Sequence, residues 1–344
     1  MARITRQALY FTAPHQVEVR EEPVPGPGAG QVRVAVTMTA ISPGTEMLIY
    51  RGLMPKGMKA DTALPALAGP LAYPLKYGYA SVGQVESVGP GVEKEWVGRW
   101  VFAFQPHQSH YIARVEDLLP LPEEVSPEDA LFLPNVETAV NFLMDGRPII
   151  GERVVVLGQG IVGLLTTGIL TRMPLEHLVV VDRYTLRLNA AQTWGVTHAL
   201  LADAVDLKEE LYEILGPPQG NEGADLVYEL SGSPDALNLA IGITGFGGRI
   251  IVGSWYGEKR ALLDLGGHFH RARVRIISSQ VSTLAPEHTA RWDKARRLRV
   301  AWRHLATLRP SRLITHRIPG TRAATAYALI AEHPEETIQV VLEW

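Results

Sequence analysis

The six residues GQGIVG (158–163) lie between a short apolar run, RVVVL (153–157), and a segment of helical composition. Glycines in these three places have separate uses. Gly158 permits a tight turn, Gly160 lets the backbone approach a pyrophosphate, and Gly163 lets the helix pack closely on the strand. The turn, with Gln159, Ile161 and Val162 between those glycines, then offers free N–H groups and the positive end of a helix dipole to phosphates. The next apolar run, HLVVVD (177–182), ends in an acid where a ribose ligand is expected. Asp182 can accept both ribose hydroxyls of NAD and would repel the 2′-phosphate of NADP, whereas Arg183 beside it would attract that phosphate. NAD is the expected cofactor, and Arg187 is expected to be a solvated helix residue.

Other segments carry less specific chemistry. Ser231 and Gly232, within ELSGSP (229–234), would pass over the cofactor, or would simply start a helix. Gly253, Ser254 and Gln280 follow the later apolar runs and are assigned to the same cofactor. Trp255 and Tyr256 would form either a flat aromatic wall for a substrate or an ordinary packed pair. His268 and His270 are two apart, so on a strand both would face one side. His107 and His110 are three apart beside an expected surface loop. Neither pair has an evident third ligand, so no metal site is expected. The chain contains no cysteine, which excludes disulfides, thiol nucleophiles, iron–sulfur clusters and thiolate zinc sites.

These residues need a scaffold, and 344 residues suffice for two domains at ~100–200 residues each. A formal charge of -3 and 20% charged residues give no field directed at nucleic acid. No apolar run is long enough to cross a membrane and no export signal is visible, so a cytoplasmic location is expected. The first 120 or so residues break into short β-rich runs, among them QVRVAVTMTAI (31–41) and YASVGQVESV (79–88), separated by Gly and Pro turns. They suggest a small, mostly antiparallel, barrel-like domain. Near residue 126 the pattern changes, with Ser126 as a helix cap and Pro127 at the first helical position. Strands and helices then alternate to about residue 280, as in a doubly wound parallel sheet. A basic amphipathic helix over about 287–308 and a final strand, ETIQVVLEW, complete the chain; the basic face is expected to be solvated.

ISPGTEMLIYRG (41–52), YPLKYGYASVGQV (73–85), VGRWVFAF (97–104), GERVVVLGQGIVG (151–163) and the C-terminal LITHRIPGTRAATAYALIAEHPEETIQVVL (313–342) resemble, in order, segments of the medium-chain dehydrogenase/reductase family. The resemblance covers nearly the whole chain. SPGTE, KYGYA, FQPHQSHY, WYG and RIISSQV are most similar to the zinc-free branch typified by bacteriochlorophyllide hydroxyethyl dehydrogenase. The resemblance implies a GroES-like, mostly β catalytic domain over 1–125, rejoined by 290–344. It implies a doubly wound Rossmann domain over 126–289, and a homodimer or homotetramer.

Zinc-using relatives carry Cys-Gly-Thr-Asp where this chain has Pro43, Gly44, Thr45 and Glu46, and Gly-His-Glu where it has Gly78, Tyr79 and Ala80. Two ligand positions are thus lost, and the four-cysteine structural lobe is absent. By position Tyr79 would face the nicotinamide across a substrate cleft and act as proton donor or acceptor. Thr45 would begin a relay, Lys76 would lower the phenol pKa, and Glu46 would orient cationic groups. The implied activity is zinc-independent interconversion of a secondary alcohol and a ketone by hydride transfer with NAD(H), acting on a small molecule. Two alternatives stay open: a quinone or enoyl reductase of the same fold using NADPH, and a non-enzymatic cofactor-binding protein.

Overall fold

In the strand QVRVAVTMTA, Val32, Val34 and Val36 are buried while the residues between them are more accessible, the period-two pattern of a sheet with one face on a core. The computed structural model describes residues 4–55, 57, 65–67, 69–220 and 222–344. It begins with an antiparallel hairpin of β1 (Ile4–Ala13) and β2 (Gln16–Val24). There follow β3 (Gln31–Ala40), the short helix α1 (Thr45–Tyr50), β4 (Ser81–Val88), β5 (Trp100–Ala103), β6 (His110–Arg114) and β7 (Leu119–Pro120). Helix α2 (Pro127–Ala130) is capped by Ser126, whose Oγ accepts the Asp129 N–H at 3.1 Å, with Pro127 at the first helical position as expected.

After helix α3 (Leu133–Gly146) the accessible faces disappear. Val154–Leu157 of β8 (Arg153–Leu157) and Leu178–Asp182 of β9 (His177–Asp182) are buried without interruption, the mark of a strand covered on both sides. With α4 (Ile161–Leu170), α5 (Thr185–Gln192), β10 (His198–Leu201), α6 (Leu207–Leu215), β11 (Ala224–Glu229), α7 (Ala236–Ile243), β12 (Thr244–Val252), α8 (His268–Arg271) and β13 (Arg275–Ser278) they build a wholly parallel sheet. Its order is β10-β9-β8-β11-β12-β13, the doubly wound arrangement expected from the alternation.

Helix α9 (Lys294–Leu308) starts later than the basic run suggested. Asp293 caps it by accepting the Arg296 N–H at 2.6 Å, and Pro286–His288 before it form a separate 3-10 turn. The chain ends with β14 (Ile314–Pro319), α10 (Ala323–Glu332) and β15 (Gln339–Glu343). Here β15 pairs with β3, giving a sheet of order β14-β15-β3-β4-β5-β7 with β6 also on β3. The fold is therefore a GroES-like β domain plus a Rossmann domain. Among the described residues no helix is long and apolar enough to cross a membrane.

Two compact units result, residues 1–134 with 305–344, and residues 135–304. Both boundaries lie later than 125/126 and 289/290, for identifiable reasons. Residues 126–134 stay with the first unit because Asp129 accepts the Ser311 N–H at 2.8 Å and Glu128 pairs with Arg317 at 2.8 Å. Residues 290–304 stay with the second through Arg297, which is 1% exposed. Its guanidinium donates to Glu137 Oε1 at 2.9 and 3.1 Å, to Asn141 Oδ1 at 2.6 Å, and to the Val281 carbonyl. Burial pushes the Glu137 carboxyl up, and Arg297 opposes that shift. Removing one member of a buried pair strands the other charge. Arg297→Met should therefore lower stability by about 3–5 kcal/mol in urea denaturation, and adding Glu137→Gln should recover part of the loss.

Candidate active site

In the second unit the glycine turn follows β8 and opens α4. Gly158 has φ +94°, and a Cβ there would lie 2.5–2.6 Å from Ser231 Cα and N, so two loops meet at a residue without a side chain. A Cβ on Gly163 would lie 2.0 Å from the Gly158 carbonyl oxygen, which accounts for its place in the helix. Gly160 is the N-cap of α4, open on its outer side, and Ile161 and Val162 form the first turn behind it. Gln159 turns inward instead of outward. Its side chain is fully buried and accepts the Thr167 hydroxyl at 3.0 Å.

Asp182 is 6% exposed. Its Oδ2 accepts the Gln159 N–H at 2.6 Å and its Oδ1 the Tyr184 N–H at 2.9 Å, so this acid braces the glycine turn. Each oxygen has two lone pairs, which leaves acceptor capacity for hydroxyls. Arg183 points to Asp203, at 3.5 Å on the surface. Arg187 is not the solvated residue expected: it lies over the Tyr184 ring with a nitrogen 4.0 Å from Asp182.

Glu229, buried at the end of β11, organises the next loops. Its Oε1 accepts the Ser231 N–H at 2.8 Å and the Ser231 hydroxyl, and its Oε2 accepts the Tyr256 phenol. Gly232 donates its N–H to Ser254 Oγ at 2.9 Å. Burial first, then Glu229, holds the Tyr256 phenol far above its usual range. Its ring packs against the core of this unit, so Tyr256 is tied up within the loop structure and is not a free aromatic wall. Trp255 remains 37% exposed. Gly253 answers to packing, since a Cβ would lie 2.3 Å from Phe142. The exposed Gln280 bonds Ser282 within its own turn.

In the first unit, Glu46 of α1 is fully buried. Its Oε1 accepts the Ser42 N–H at 2.8 Å, and its Oε2 accepts His107 Nε2 at 2.9 Å and the Tyr327 phenol. The carboxylate selects the imidazole tautomer with hydrogen on Nε2 and leaves the buried Nδ1 bare. Burial and Glu46 raise the Tyr327 phenol well above its usual value, so it stays a donor. Gly78 makes room for the imidazole: its φ is +116° and a Cβ would sit 2.7 Å from the ring. Tyr79, half-buried, donates to Ser42 Oγ at 2.5 Å. Thr45 is the first residue of α1, also half-buried.

Four expectations change. Glu46 is held by a backbone amide, an imidazole and a phenol, and by no Arg or Lys among the described residues. Lys76 lies 3.2 Å from Glu22 and over the Tyr10 ring, on the β1–β2 hairpin, because that carboxylate offers it an ion pair. His107 is in the core, not on a surface loop, and His110 engages Ser109 at 3.0 Å. His268 and His270 lie on a short helix, so they do not share a strand face, and His268 bonds the Thr244 carbonyl at 2.7 Å. Ser42, His107 and Tyr327 were missed as site residues. The SPGTE and FQPHQSHY runs held the first two, while nothing in the α10 sequence marks Tyr327.

Comparison with known proteins agrees with this architecture. Residues 162–298 match the family described as zinc-binding dehydrogenase. The zinc-type alcohol dehydrogenase-like protein YphC of Escherichia coli K12 is 25% identical, with 95% of this chain and 96% of the relative covered. D-guloside 3-dehydrogenase of the same strain is 24% identical over 91% and 92% of the two chains. A solved alcohol dehydrogenase from Escherichia coli CFT073, complexed with NADH, superposes with a TM-score of 0.78 at 21% identity, covering 99% of each chain. Another matched structure, from Sinorhizobium meliloti 1021, is bound to NADP. The fold is that of the medium-chain alcohol dehydrogenases. The zinc implied by the matched family's description does not fit the residues of this medium-chain fold. There is no thiolate, and among the described residues His107 Nε2 and Glu46 Oε2 are engaged with each other, Oε2 with the Tyr327 phenol as well. Among the described residues, the three-donor group with metal-binding spacing is His333, Glu335 and Glu336, all exposed.

Glu22 is one pH-sensitive group of this unit. Burial alone would raise its carboxyl, but bonds from Tyr10, Arg6 and Lys76 outweigh that and lower it from 4.5 to about 2. Its contribution is therefore present above about pH 4.5 and fades as pH falls towards 2. Thermal melts across that range should lose stability more steeply in wild type than in Glu22→Gln. Lys76→Met should cost at most about 1 kcal/mol and leave the ionisation of the Tyr79 phenol, read by ultraviolet titration, where it was.

Proposed function

We propose that this protein is a zinc-independent oxidoreductase that interconverts a secondary alcohol and a ketone with NAD(H). The observation that carries the reading is the glycine turn at the N-terminus of α4, braced by a buried Asp182. Such a turn suits a pyrophosphate, with backbone N–H groups and the helix dipole directed at the anion. Gly158, Gly160 and Gly163 would hold the phosphates and Asp182 the ribose. The bound nicotinamide supplies or accepts a hydride. The dehydrogenase names of the relatives support redox chemistry of this class.

The remaining task falls to the chain's own groups. Reducing a ketone requires a proton at the carbonyl oxygen, and oxidising an alcohol requires its removal. Tyr79 stands, by its resemblance, where zinc relatives place a ligand, and its phenol is held in a defined direction by Ser42. Tyr79 thus gives its proton to the oxygen of the reduced substrate and takes one back in the reverse direction. The absence of cysteine and the commitment of Glu46 and His107 to each other support catalysis without zinc.

A buried acid at the ribose position should make NAD(H) bind at least tenfold more tightly than NADP(H), about 1.4 kcal/mol, by fluorescence titration. Asp182→Ser should narrow the gap; an NADPH preference in wild type would favour a quinone or enoyl reductase, with Arg187 reading the phosphate. In a screen of secondary alcohols and ketones, Tyr79→Phe should lower kcat by about 10²–10⁴-fold without changing NADH affinity. Elemental analysis should find no stoichiometric zinc, and chelation should leave turnover intact. One zinc per chain whose removal abolishes turnover would sink the proposal.

A further inference from the structure

The hydroxyl next to Tyr79 in the fold is not the one its resemblance suggested. Thr45 begins α1, but the Tyr79 phenol donates to Ser42 Oγ, at 2.5 Å, three residues earlier. Ser42 is 9% exposed and is held on both sides. Its carbonyl accepts the Glu46 N–H at 2.9 Å, and its own N–H donates to Glu46 Oε1 at 2.8 Å, closing a reciprocal pair across the start of the helix. Glu46 is in turn fixed by His107 and Tyr327, both fully buried. The backbone before Ser42 is clamped as well: Ile41 donates its N–H to the Val340 carbonyl at 3.1 Å, and its own carbonyl accepts Gln339 Nε2 at 2.7 Å. The Ser42 hydroxyl therefore stands on a fixed backbone and is directed by its bond to the Tyr79 phenol.

We propose that Ser42 is the positioning residue of the proton donor: its hydroxyl accepts from the Tyr79 phenol at rest and donates to the phenolate once the proton has left. This rests on the reading of Tyr79 as the proton donor. In ketone reduction the phenol hydrogen turns from Ser42 to the substrate oxygen, the carbonyl carbon gains hydride from NADH, the Tyr79 O–H bond breaks, and its proton goes to the substrate oxygen. The phenolate left behind takes a hydrogen bond from Ser42, without further transfer, and regains a proton from water. Glu46 acts one step back, as the group that fixes the Ser42 backbone.

A hydroxyl can play both parts because it has one donor and two acceptor lone pairs and rotates at little cost. A hydrogen bond to a charged oxygen is stronger than one between neutral groups, so the interaction favours the ionised form. Its loss should cost about 10- to 100-fold in rate.

Two measurements on the whole chain separate this inference from the reading beneath it. The first is ultraviolet titration of the Tyr79 phenol, taken as the difference between each protein and its Tyr79→Phe counterpart; it needs no substrate. Ser42→Ala should move that ionisation to higher pH, Ser42→Thr should restore it, and Thr45→Ala should leave it unchanged. The second is kcat with NADH and the best ketone of the screen. Ser42→Ala should lose about 10- to 100-fold, with its pH–rate profile displaced upward. Adding Ser42→Ala to Tyr79→Phe should cost nothing more, because the partner is already gone. If Tyr79→Phe keeps wild-type kcat, the proton-donor reading fails. If Tyr79→Phe is impaired but Ser42→Ala leaves both ionisation and kcat unchanged, or its effect multiplies with that of Tyr79→Phe, the Ser42 inference is overturned and the role of Tyr79 stands. Thermal melts of both Ser42 variants establish that they fold, and recovery by threonine sets a lost hydroxyl apart from a lost shape.

Discussion

A carboxylate with no exposed surface must have its charge answered where it sits, and Glu46 imposes that condition on the first unit. It is met by a backbone N–H, an imidazole N–H and a phenol. Each donor reaches it by a different route. The Ser42 amide comes from the end of β3, and His107 lies 61 residues away. Tyr327 comes from α10, 281 residues away, so the C-terminal segment must return to complete the site. Pairing of β15 with β3 brings that return, Val341 lying opposite Ala40 just before the turn. Tyr327 is then locked by an edge contact with Phe11 at 5.1 Å and stacking on Tyr50 at 5.5 Å. Gly78 is the complementary requirement, because no side chain fits between that backbone and the imidazole.

The second unit meets the same electrostatic problem in other ways. Asp182 is answered by two backbone N–H groups, which ties the acid that would hold a ribose to the turn that would hold phosphate. Glu229 accepts from Ser231 and Tyr256, and so joins the loops after β11 and β12. Glu137 alone is paired with a buried arginine, and the same guanidinium reaches carbonyls in the segment after β13. Acids at strand ends thus set loop geometry, while the acid on α3 holds a distant segment in place. The acids at strand ends are met by hydrogen-bond donors, whereas the arginine pair adds a second buried charge and depends on both members.

Much of this was legible in the sequence for a simple reason: periodicity and glycine spacing are local. Period-two alternation in β3, unbroken burial in β8 and β9, and three glycines at one strand–helix junction are properties of a few neighbouring residues. The parallel sheet and its order follow from them. Long-range side-chain pairing does not. His107, in a segment with Pro and Gln, resembles a loop residue, and only the folded chain shows Glu46 beside it. Lys76 and Tyr79 are near in sequence, yet the lysine turns to Glu22 on the hairpin, a partner 54 residues away. The Ser42 hydroxyl was hidden by the resemblance itself, which directed attention to Thr45. Positional analogy carries over the backbone of a site more faithfully than its hydrogen bonds.

These constraints converge on what the first unit can offer a substrate. A metal ion drawn to Glu46 Oε2 would have to displace the Tyr327 phenol and the His107 N–H, leaving two buried donors without acceptors. Each such loss costs on the order of 1–3 kcal/mol, and no thiolate is present to offset it. A carboxylate that could have served a cation is thus consumed in fixing a turn. What the turn then presents is a serine hydroxyl, and what the hydroxyl orients is a half-buried phenol. A phenol is a weak acid in water, so its usefulness as a proton donor depends on how its anion is solvated. A hydroxyl on a rigid backbone can supply that solvation without the reorganisation that loose water requires, which is the general advantage of preorganised dipoles. The buried charge therefore matters to the chemistry through rigidity, two bonds removed from the oxygen that would carry the proton.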